Sequence, residues 1–69
     1  IYRGCGEDKG MTQESIIFKG KIVGTIRKQW ERGTTWYWGI VQMGNITYKE
    51  NFHDRQTAEQ WIFWRRGLR

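Results

Sequence analysis

The sequence predicts an α+β fold: a three- or four-stranded antiparallel sheet packed on one C-terminal helix. Three observations predict it. Residues 34–41 (TTWYWGIV) alternate with the period of two expected of a strand. β-branched and aromatic runs flank them, separated by glycine-containing turns. The clearest helical spacing falls near the end, in residues 54–66.

Residues 1–13 (IYRGCGEDKGMTQ) carry glycines and mixed charges without a period, and read as a mobile tail or an upstream extension. The chain opens on Ile, so Met11 is a candidate natural start. Residues 14–69 then form one small domain. Residues 14–19 (ESIIFK) and 21–28 (KIVGTIRK) are strand candidates, joined at Gly20 either as a tight hairpin or as one long strand with a bulge. In the second strand Ile22, Gly24 and Ile26 are assigned to the core side, and Val23, Thr25 and Arg27 to the other. Gly24 leaves room for a close neighbour. A polar turn at Glu31-Arg32-Gly33 leads into residues 34–41. There Trp36, Trp38 and Ile40 are expected in the core, with Tyr37, Gly39 and Val41 on the open face. The Gly44-Asn45 pair marks the next turn, and residues 46–49 the last strand. Asp54 is placed to cap the helix by accepting from Gln56 or Thr57, and Gly67 to stop it. Thr57, Ala58, Trp61, Ile62 and Trp64 are assigned to its apolar arc, which leaves Phe63 on the polar side.

A chain of 69 residues buries a modest core, and five Trp, three Tyr and three Phe supply its bulk. Cys5 is the only cysteine, so an intrachain disulfide is excluded, and no Cys/His cluster suggests a metal. A lone thiol suits a reducing, cytoplasmic setting. Apolar runs stop at three or four residues, so no membrane span is expected. The formal charge is +5. Arg3 and Lys9 are offset by Glu7 and Asp8, so the excess belongs to residues 11–69. A basic domain attracts polyanions through its long-range field, although the same charge also serves solubility.

The phrase Phe52-His53-Asp54-Arg55-Gln56-Thr57-Ala58-Glu59-Gln60-Trp61, with the Trp36-Tyr37-Trp38 strand and the Gly44 turn before it, resembles the AP2-like, arm-type N-terminal DNA-binding domains of phage and transposon tyrosine integrases. Phe52, Arg55, Ala58 and Trp61 match that phrase. Asp54 replaces the hydroxyl cap, and Thr57 the usual acid. The resemblance covers residues 21–66. It implies a three-stranded sheet packed on one helix and set in the major groove of double-stranded DNA, reading bases from its open face. A free-standing domain of this kind would suit a phage or mobile-element accessory protein.

Arg27, Tyr37 and Lys49 are expected on one open face, with Thr25 and Thr47 adding hydrogen bonds. Arg27 suits a guanine edge and Lys49 a phosphate. Lys28, Arg32 and Arg55 suit phosphates around the sheet, as do Arg65 and Arg66, which also suit the helix C-terminus. The same cations equally suit an ordinary solvated surface. Phe63 and Trp30 point instead to a protein interface, either a homodimer or a host protein that the chain binds and modulates. His53 stands alone, no paired carboxylates or nucleophile motif appear, and neither an enzyme nor a cofactor is expected.

Overall fold

The computed structural model describes residues 9–68. Four strands, β1 (Lys9–Phe18), β2 (Lys21–Glu31), β3 (Thr34–Met43) and β4 (Ile46–Phe52), form an antiparallel sheet in sequential order. Helix α1 (Arg55–Arg66) packs on one face. The α+β architecture is as the sequence predicts, with four strands. β1 begins at Lys9, so residues 9–13, read as tail, belong to the first hairpin. The rest of the expected tail, including Cys5, lies outside the described residues.

Two-residue turns close the sheet. Lys19-Gly20 and Arg32-Gly33 both carry positive φ at each position (52° and 81°, 52° and 85°). That is the type I′ pattern, whose twist matches the strands it joins. The break at Gly20 is therefore a hairpin. The bulge falls further on: Ile16 pairs with Gly24 and Ile17 with Ile22, so Val23 is the extra residue. Val23 and Gly24 are both buried, while Ile22 is 64% exposed on the opposite face. A strict alternation assigned Val23 and Ile22 the other way round, because the bulge changes the parity at this point.

The helix sits where the sheet is narrowest in side-chain volume. A Cβ on Gly24 would lie 2.6 Å from Ile62 Cγ2, and one on Gly39 2.7 Å from Trp61 Cε3. These glycines on neighbouring strands, with Ala58 on the helix, allow close approach. The core is Ile16, Val23, Ile26, Val41, Ala58 and Ile62. Tyr37, Gly39 and Val41 consequently face the helix, and Trp36, Trp38 and Ile40 face away, reversing the expected assignment of β3. Two tryptophans under the helix would hold it off the sheet.

Both helix ends are closed as expected. Asp54 Oδ1 accepts from the Thr57 backbone N–H at 2.7 Å. At the other end Leu68 N–H donates to Phe63 O (2.8 Å) and Gly67 N–H to Trp64 O (3.0 Å), a Schellman closure. That closure brings Leu68 back over the core with Phe63, whose ring meets Phe18 at 5.7 Å. Phe63 is thus half-buried, not on a polar face. Trp64, roughly 200° on from Ile62 around the helix, is 66% exposed instead of lying in the apolar arc. No described helix is long and apolar enough to cross a membrane.

Candidate nucleic-acid interface

The sheet face opposite the helix is built by the cross-strand register. One row runs Ser15, Thr25, Ile40, Lys49, and the next Gln13, Arg27, Trp38, Asn51. Gln29 and Trp36 stand beyond them, and Gln42 and Thr47 on the other side. Thr25, Arg27, Thr47 and Lys49 therefore share one face, with β3 running between the β2 pair and the β4 pair. Arg27 and Lys49 lie diagonally across it, with Cα atoms roughly 12 Å apart by strand geometry.

The cations of this face are available. Arg27 Nε donates to Gln13 Oε1 at 2.9 Å. Among the described residues, neither Arg27 nor Lys49 is held in an ion pair. Glu31, at the far end of β2, is the one carboxylate that the register of the described strands puts on this side. Trp36 and Trp38 are half-buried here although no second layer covers them. Trp38 Nε1 donates to Gln29 Oε1, which fixes that ring on the sheet.

Past Ile40 the surface opens into a cleft of about 290 Å³ lined by Ile22, Thr25, Ile40, Gln42 and Thr47, with Val23, Gly24 and Arg66 closing it toward the helix side. It exists because β2 leaves β3 at the bulge: their pairing stops at Thr25 and Ile40. The Gln42 carbonyl accepts from Arg66 Nη1 at 3.2 Å beside this gap.

The remaining candidates are elsewhere. Tyr37 packs against the core on the helix side, so it does not join Arg27 and Lys49. It moved because the faces of β3 are reversed. Lys28 is also on the helix side, its ammonium 5.6 Å from the Trp30 ring. Trp30 in turn lies against Gly10, where a Cβ would be 2.4 Å from its Cζ2. Arg32 is exposed in the β2–β3 turn. Arg55 makes a two-point contact with Glu14, Nε to Oε1 and Nη2 to Oε2 at 2.8 Å each, and reaches Glu59 at 3.2 Å. Those hydrogen bonds hold the Glu14 carboxyl below, and the Arg55 guanidinium above, their ordinary ranges. Arg65 stacks 3.7 Å above the Tyr48 ring. Arg55, Arg65 and Arg66 thus tie the helix to the sheet. The aromatic pair on the open face is the feature that sequence reasoning missed. Its signal was Gly24, Gly39 and Ala58, which mark where the helix approaches.

The arrangement defines a small sheet-plus-helix protein with one uncovered, cationic and aromatic sheet face. No family model, curated protein or solved structure matches the chain.

Proposed function

We propose that this chain is a small DNA-binding module that contacts DNA through the open face of its sheet. The observation that carries this reading is the convergence of Arg27, Lys49, Thr25 and Thr47 on the side the helix leaves uncovered, with Glu31 only at the margin. Two cations roughly 12 Å apart can reach separate phosphates, while the hydroxyls and Gln42 offer hydrogen bonds to sugars or base edges. The integrase-like phrase adds to this reading, and a role as a phage or mobile-element accessory protein goes with it.

The test is retention of a fluorescein-labelled oligonucleotide, in duplex and single-stranded form, followed by anisotropy at two salt concentrations. Binding is expected to weaken steeply with salt, each neutralised phosphate contributing roughly 0.7–0.9 to the log–log slope. Arg27→Glu and Lys49→Glu should each remove it while circular dichroism stays unchanged. Absence of binding to either form at low salt would sink the proposal.

A second reading, a module that binds and modulates a host protein, is favoured by a groove on the helix side of the sheet, next to the cleft and sharing Val23 and Arg66 with it. Phe18, Val23, Met43 and Leu68 line it together with the cations Lys19, Lys21 and Arg66. It predicts binding that survives both charge reversals on the sheet face.

A further inference from the structure

Resting on that DNA-binding reading, we infer that the open face takes an unpaired DNA strand, laid along β3 with successive bases stacked on Trp36 and Trp38. The inference comes from the placement of the rings. A duplex offers its base edges in the grooves and keeps its base faces stacked on one another. Indole faces have nothing to stack on there. An unpaired strand exposes those faces, and aromatic side chains on a sheet bind them without regard to sequence.

Spacing separates the two forms further. Trp36 and Trp38 are alternate residues of one strand on one face, so their Cα atoms stand roughly 6.8 Å apart. Bases in a duplex advance about 3.4 Å per nucleotide along each strand. Adjacent bases seated on the two rings must therefore be drawn apart to about twice that rise, which a paired strand does not allow. Beyond Trp38 the same line passes Ile40 and enters the cleft at the bulge, where Thr25, Gln42 and Thr47 can meet the edge of a third base. Arg27 on β2 and Lys49 on β4 flank the line on its two sides. Phosphates of a strand running along β3 thus find a cation whichever side they turn to.

The experiment compares one mixed-sequence 12-mer as a single strand and as a duplex, by anisotropy and by quenching of intrinsic tryptophan fluorescence, at the same two salt concentrations. The single strand is expected to bind at least ten-fold more tightly and to quench. Trp36→Leu should weaken single-strand binding by roughly 5- to 150-fold, the range for loss of one stacked base, and Trp36→Phe should restore most of it. Trp36 is the better probe because Trp38 also holds a hydrogen bond to Gln29. Equal or tighter binding of the duplex, or a folded Trp36→Leu protein that keeps wild-type affinity for the single strand, would overturn this inference and leave the open-face reading standing. If neither form binds at low salt, both fall.

Discussion

Replacing Gly24 by alanine tests how the helix is seated. The added Cβ would stand 2.6 Å from Ile62 Cγ2, 3.2 Å from its Cδ1 and 3.0 Å from the Ile40 carbonyl oxygen. Carbon atoms rest at about 3.5–4.0 Å, so about 1 Å must be found. Neither neighbour gives easily, because Ile62 is fully buried and the Ile40 oxygen is backbone. Overpacking of this kind costs about 1–3 kcal/mol, and alanine returns about 0.5–1 kcal/mol through its lower unfolded-state entropy. Because neither neighbour gives, the cost falls at the upper end of that range, about 3 kcal/mol, which leaves a net loss of about 2 kcal/mol, or roughly 8–16 °C in Tm for a domain of this size. Gly39→Ala meets Trp61 at 2.7 Å, but that ring is half-buried and can tilt, so about half the loss is expected. Gly10→Ala has the shortest approach, 2.4 Å to Trp30 Cζ2, yet Trp30 is only half-buried and its indole can swing away. The order of damage should be Gly24, then Gly39, then Gly10, which differs from the order of distances. Urea unfolding followed by far-UV circular dichroism measures it without depending on tryptophan signals. Gly10→Ala as the most damaging change, or Gly24→Ala within about 0.5 kcal/mol of wild type, would refute the reasoning.

Two further outcomes concern stability. The carboxyls of Glu14 and Asp54 are both held below their ordinary range, Glu14 chiefly by hydrogen bonds from Arg55 and Asp54 chiefly by the Thr57 backbone N–H. Their contribution is present above the unfolded carboxylate range and is lost as pH falls through the lowered values, so the urea midpoint should decline from about pH 5 downward. Glu14→Gln should flatten part of that decline while costing under about 1 kcal/mol at neutral pH, because the ion pair is about half exposed. Lys19 occupies a left-handed conformation, φ 52°. Lys19→Asn supplies the Asn-Gly pair that a type I′ turn prefers and should raise stability by up to about 1 kcal/mol, read as an increase in Tm.

The elements were legible in the sequence because each carries a local signal. Alternation marks residues 34–41, Asp54 and Gly67 mark the helix ends, and Arg32-Gly33 marks a turn. Faces were less legible, since they depend on what approaches from outside the strand. On β2, Thr25 and Arg27 were assigned to the open side, where they are found. Val23 was assigned to the open side and Ile22 to the core, and each is found on the other, because one bulged residue shifts the alternation. On β3 total hydrophobicity pointed inward for Trp36 and Trp38, whereas the helix chose the side with Gly39. Strand length was underestimated at β1, where Lys9, Thr12 and Gln13 look like tail residues but pair with Glu31, Lys28 and Arg27. Such pairing depends on the partner strand and leaves no local pattern.

The choice of face also bears on what the protein is for. Burying a large apolar side chain contributes about 1.5–3 kcal/mol, so a sheet would ordinarily turn its tryptophans toward the helix. A one-residue slip in the pairing of β3 would do that. The two-residue turns prevent the slip by pinning Glu31 to Thr34 and Met43 to Ile46. The slip would also replace Gly39 beneath Trp61 with a bulky side chain. Close helix docking and inward tryptophans are therefore alternatives, and this chain takes the first. The cost is an uncovered face carrying Met11, Ile17, Ile22, Trp36 and Trp38. Cross-strand packing, as between Ile17 and Ile22, accounts for part of their size. The proposed unpaired strand, with flat ring faces and negative charge between Arg27 and Lys49, would cover Trp36 and Trp38.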